Sequence, residues 1–104
     1  MKRVAFKMFL KAGMEEEYVK RHNAIWPELK KILADQGVCD YSIFLDRETN
    51  LLFAVQKVKN GADSQVRDES GVIQRWWDYM ADIMESYPDN SPKMGELVEV
   101  FYME

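Results

Sequence analysis

Tyr18 and His22 stand four residues apart, and His22 is the chain's one histidine. On a helix that spacing makes two side chains neighbours on one face. An imidazole has a reference pKa of about 6.5, so it can give and accept a proton near neutrality. Tyr41 and the pair Trp76-Trp77 add a phenol and two indoles. Such rings stack on the C–H face of a pyranose, and their O–H and N–H groups offer hydrogen bonds to hydroxyls. The set lacks an activated nucleophile: there is no Ser-His-Asp pattern, and the single cysteine, Cys39, has no assigned base. It also lacks a Gly-rich phosphate loop. What remains is proton transfer by one imidazole beside a ring-binding surface. Exchange between the anomers of a free sugar needs little more. A proton goes to the ring oxygen, one leaves the anomeric hydroxyl, and the opened ring closes on the other face.

These side chains need elements to bring them together. Arg3 to Leu10 alternates, with Val4, Phe6, Met8 and Leu10 on one face of a strand. Met14, Tyr18, His22, Ile25, Leu29 and Ile32 recur at steps of three and four, which makes a helical stripe. Pro27 lacks a backbone donor and biases Trp26 away from the α region, so a kink or short break is expected between Asn23 and Pro27. Gly37 is a suitable end. Cys39, Tyr41, Ile43 and Leu45 share one face of a second strand, and the polar turn Asp46 to Asn50 leads into a third, Leu51 to Val58. A polar connection, Lys59 to Ser70, precedes a helix expected over about 70–85, with Ile73, Trp76, Trp77, Met80, Ile83 and Met84 on its apolar stripe. After a loop with two prolines, Glu96 to Met103 alternates as a last strand.

The order strand, helix, strand, strand, helix, strand predicts an α+β fold of the ferredoxin-like, split βαβ type. Both helices then cover one face of a four-stranded antiparallel sheet. Phe9, Phe44, Leu52 and Ala54, joined by Val98, Val100 and Tyr102, are candidates for the uncovered face. A bare apolar face on so small a domain predicts a second copy packed sheet against sheet, a dimeric α+β barrel. Tyr18, His22, Tyr41, Trp76 and Trp77 would line one cavity between helices and sheet. Spacing alone leaves a second account open. His22 also fits a hydrogen-bonded core or rim position, Tyr18 and Tyr41 fit packing residues with wet hydroxyls, and the two tryptophans fit core filling.

Composition excludes several classes. The 104 residues fit one domain, and 47% hydrophobic content can fill one core. With 14 Lys and Arg against 18 Asp and Glu, the net charge is −4. That argues against a nucleic-acid partner, which needs a basic face. Lys20, Arg21, Lys30 and Lys31 alternate with Glu15, Glu16, Glu17 and Glu28 as on a solvated helix face. No apolar run is long enough to span a bilayer and no signal peptide is evident, so no membrane partner is expected. A lone cysteine builds neither an intrachain disulfide nor a zinc site, and a reducing cytoplasm is the simple expectation.

The segments Y18-V-K-R-H22-N-A-I-W-P-E-L29, L51-L-F-A54, Q74-R-W-W-D-Y-M80, P88-D-N-S-P92 and E99-V-F-Y102 resemble the L-rhamnose mutarotase family over nearly the whole chain. The resemblance implies one mutarotase-like α+β barrel domain over 1–104, cofactor-free, metal-free, cytoplasmic and homodimeric. It implies an isomerase of rhamnose metabolism that interconverts the α and β anomers of L-rhamnose. By that likeness His22 is the proton donor, and Tyr18, Tyr41, Trp76 and Trp77 contact the sugar. Two other readings compete. His22, Asn23 and Trp26 also suit a cofactor-independent monooxygenase or a haem-degrading relative on the same barrel, and a non-catalytic sensor of small ligands is a third reading.

Overall fold

Alternation builds the first strand, β1 (Lys2–Phe9), with Phe6 and Met8 buried on one face. The computed structural model describes residues 1–59 and 69–104; most of the expected polar connection, 60–68, lies outside the described residues. After β1 come α1 (Glu15–Asn23), α2 (Pro27–Asp35), β2 (Val38–Asp46), β3 (Leu51–Val58), α3 (Val72–Met80) and β4 (Met94–Leu97). The strands form one antiparallel sheet in the order β2-β3-β1-β4, the expected α+β arrangement. The first helical segment is divided in two. Trp26 takes an extended conformation (φ −63°, ψ 128°), as a residue before proline prefers, and Pro27 opens α2 at a position where its missing N–H costs nothing. The Trp26 carbonyl accepts from the Leu29 and Lys30 amides and starts the new helix. Gly37 ends it with φ +95°, a conformation in which a Cβ would also meet the Lys59 side chain at 3.0 Å.

The helices and the sheet enclose one core. Phe6, Met8, Leu52 and Ala54 from the sheet meet Tyr18, Leu29, Ile73, Trp76, Trp77 and Met80 from the helices. Pairing of Phe6 with Ala54 and Met8 with Leu52 fixes this register. Leu52 and Ala54 are therefore 1% and 0% exposed and belong to the core, not to the uncovered face. The uncovered face carries Phe9, Leu51, Phe53 and Val55 half-buried, with Phe44 exposed. The sequence could not separate the two sets because β3 is apolar on both faces.

Three further expectations change. Between Cys39 and Ser42 the β2–β3 register shifts by one residue, with Asp40 at φ 47°. This bulge turns Cys39 to the face opposite Tyr41, Ile43 and Leu45, and Val38 takes the inward place across from Val58. The last helix stops at Met80 rather than near 85. Ile83 and Met84 are still buried, but through a turn in which the Ile83 amide donates to the Met80 carbonyl, followed by a bridge from Met84 to Leu10. The last strand ends at Leu97, opposite Ala5; Val98, Val100, Phe101 and Met103 continue the alternation but stand 78–94% exposed.

Candidate active site

The stripe on α1 brings Tyr18 and His22 together as the spacing requires. Their rings stack with centroids 4.2 Å apart and planes 24° from parallel. His22 Nδ1 lies 3.2 Å from the Tyr18 carbonyl oxygen. A carbonyl only accepts, so Nδ1 carries the proton and donates it. In the neutral ring, Nε2 is then the nitrogen with a free lone pair. Burial lowers the His22 pKa below its ordinary value, and the bond to the Tyr18 carbonyl offsets only part of this. The resting imidazole is thus neutral near pH 7. Burial, with Tyr41 close by, pushes the Tyr18 phenol upward, so it remains a protonated hydrogen-bonding group.

Helix α3 supplies the indoles. Val72, Ile73, Trp76, Trp77 and Met80 are buried on one stripe, which points both tryptophans inward. The Trp76 ring meets His22 edge-on at 5.5 Å and 85°. Tyr18, His22, Tyr41, Trp76 and Trp77 all line one cavity of about 590 Å³, within the size range of small-molecule sites. All five sequence candidates are therefore brought together. Among the described residues no group of three or more His, Cys, Asp and Glu is placed to hold a metal ion.

Other side chains support the site. Trp26, read in the sequence as a helix break and, in the monooxygenase or haem-degrading alternative, as a site residue, is not among the residues that line the cavity; it packs edge-on against Trp76 at 5.1 Å and stacks on Tyr79 at 5.6 Å. Ser86, Asn90 and Pro92 bring the proline loop to the cavity wall. That loop is strapped to α3: Gln74 donates to the Asp89 carbonyl at 2.8 Å, and the Asn90 amide donates to Asp78 at 3.0 Å. The two prolines and the Asp-Asn-Ser run signalled an irregular loop but not its anchor.

The chain is similar to known proteins along its whole length. The profile of the L-rhamnose mutarotase family matches residues 3–103. The L-rhamnose mutarotase of Phocaeicola vulgatus is 62% identical over 104 residues, covering all of both chains, and that of Bacteroides thetaiotaomicron is 60% identical with the same coverage. The crystal structure of an L-rhamnose mutarotase from Formosa agariphila superposes with a TM-score of 0.91 at 53% identity, again over both chains entirely. The monooxygenase and haem-degrading alternatives draw no support from these relatives. The chain belongs to the L-rhamnose mutarotase family.

Proposed function

We propose that this chain interconverts the α and β anomers of L-rhamnose, with His22 as the proton-transfer group and Tyr18, Tyr41, Trp76 and Trp77 as the sugar-binding surface. The hydrogen bond from His22 Nδ1 to the Tyr18 carbonyl is the observation that supports this most. It sets the tautomer and leaves Nε2 for exchange with the substrate. Ring opening transfers one proton to the ring oxygen as the C1–O bond breaks, and removes one from the anomeric hydroxyl as the aldehyde forms. Both oxygens are bonded to C1, so one imidazole beside that carbon can reach either. A lowered pKa suits both roles: the resting ring is the base, and the imidazolium is a stronger acid toward the ring oxygen. Rotation about C1–C2 and the reverse steps give the other anomer. This proton shuttle calls on no organic cofactor or metal ion. Saturation-transfer NMR of equilibrated L-rhamnose tests the reading. Protein added at catalytic concentration should transfer saturation between the two anomeric protons. Transfer no faster than in buffer rejects the activity.

We further propose a homodimer joined through the uncovered sheet face, within one domain over 1–104 and in the cytoplasm. Its support is the apolar set Phe9, Phe44, Leu51, Phe53 and Val55, with the exposed segment after Leu97. Contiguous apolar surface on a domain of this size marks an interface. No helix among the described residues is long and apolar enough to cross a membrane, and Cys39 is a free thiol. Light scattering at micromolar concentration should give twice the chain mass. Phe44→Asp or Phe53→Asp should halve it or precipitate the protein. A wild-type chain that scatters as a monomer removes the barrel.

A further inference from the structure

Arg21 stands next to His22 in the last turn of α1, and by charge pattern it belongs to a solvated helix face. Its surroundings are different. The side chain is only 11% exposed. Nη1 donates to the Tyr79 carbonyl at 2.7 Å and to Asp82 Oδ1 at 2.8 Å, Nη2 to Asp82 Oδ2 at 3.1 Å, and Nε to Glu17 Oε2 at 2.8 Å. The guanidinium carbon also lies 4.4 Å from the centre of the Tyr79 ring. The guanidinium holds the Asp82 carboxyl below the usual carboxylate range. A planar fork makes the bidentate, carbonyl and stacking contacts at once; an ammonium cannot.

These contacts join the C-terminal ends of two helices. Tyr79 lies in the last turn of α3, and Asp82 in the turn just after it. On the other side α1 finishes at Asn23, and the extended Trp26 separates it from α2, so no further helical turn steadies His22. A path of ring contacts runs on from Arg21 through Tyr79 to Trp26, then edge-on to Trp76 and edge-on to His22. The ring proposed to exchange protons with the sugar oxygens thus sits at a helix end held to α3 by its own edge contact with Trp76 and by the hydrogen bonds of the neighbouring Arg21.

We propose that Arg21 is a positioning residue for the reaction: its clamp between Glu17 and the Tyr79–Asp82 end of α3 fixes the last turn of α1 and so the reach of the His22 imidazole. The proposal rests on His22 as the proton-transfer group. Arg21 itself touches no reacting atom. Its chemistry is to exclude the small displacements that erode a proton transfer, for which about 1 Å can cost up to roughly 10²-fold in rate.

The test compares Arg21→Lys and Asp82→Ala with wild type and with His22→Ala, measuring kcat and KM for anomer exchange, normalised to folded protein. Asp82 is mostly exposed, so its variant loosens the clamp from α3 with little risk to folding. Arg21→Lys should lower kcat roughly 10-fold with KM nearly unchanged, and Asp82→Ala should do the same to a smaller extent. Because the chain has one histidine, its imidazole Hε1 gives one NMR resonance, which should broaden or split in both variants. Unchanged kcat per folded molecule, with only a lower melting temperature, overturns the proposal, and so does a rise in KM at constant kcat. If His22→Ala retains full exchange, the premise itself falls and takes the proposal with it; an inactive His22→Ala beside a fully active Arg21→Lys rejects the clamp alone.

Discussion

His22→Ala should slow enzymatic anomer exchange by about 10²–10⁴-fold, the usual loss when a positioned acid or base is removed. Its structural cost should be small by comparison. The side chain gives up one hydrogen bond to the Tyr18 carbonyl, worth about 0.5–1.5 kcal/mol, and part of a ring stack. In a domain of this length 1 kcal/mol moves the melting midpoint by about 4–8 °C. Rate and midpoint read from one sample therefore separate two accounts of the same residue. A core histidine predicts a lower midpoint and near-normal exchange in the folded fraction, which would remove His22 from the chemistry. The wild-type pH profile bears on the same question. Burial lowers the His22 pKa, so the neutral base persists below the free imidazole value of about 6.5, and the acid limb of the rate should lie under that value. Stability follows with the same sign. The unfolded chain binds the proton more readily than the folded one, so the contribution is fully present above about 6.5 and is lost as pH falls through the lowered folded pKa. An acid limb above 6.5 would mean that another group controls turnover.

The parts of this site that the sequence made legible are those governed by a short period. Tyr18 and His22 at i and i+4, and Trp76 and Trp77 on a stripe with Ile73 and Met80, face inward because an amphipathic helix has one buried side. Pro27 announced the break because the residue before proline avoids the helical region. The errors fall where two periodic readings were equally apolar. Leu51-Leu52-Phe53-Ala54 satisfies either face, and only the pairing of Leu52 with Met8 and Leu45 decides it. The bulge after Cys39 leaves no signature, since Val38 and Cys39 are both acceptable inward residues. Ile83 and Met84 continue a helical spacing while the backbone has turned, because the core at Leu10 accepts them from a bridge as well as from a helix. Arg21 was illegible for another reason. A charge on a helix reads as solvated unless its partners are known, and Tyr79 and Asp82 lie 58 and 61 residues away.

Trp76→Ala should be the most damaging single substitution to stability at the site. The indole is 9% exposed and meets His22, Trp26 and Tyr79. Truncating a buried tryptophan costs about 3–5 kcal/mol, because the lost transfer free energy is joined by an unfilled cavity. Domains of this kind hold only about 5–15 kcal/mol in all, so the variant should melt at least 12 °C lower, by about 4–8 °C for each kcal/mol. Such a loss says nothing about the sugar. Trp76→Phe is the informative partner, since it keeps an aromatic ring in the cluster and removes the indole N–H and part of its stacking face. If Trp76 contacts the substrate, KM should rise in Trp76→Phe while kcat per folded molecule stays within a few-fold, because His22 keeps its bond to the Tyr18 carbonyl. A pure packing role predicts a lower melting midpoint with both kinetic constants intact. A Trp76→Ala protein that melts like wild type would contradict the buried cluster itself. Equal loss of kcat in Trp76→Phe and in Arg21→Lys, with KM steady in both, would instead make Trp76 part of the path that holds the imidazole in place.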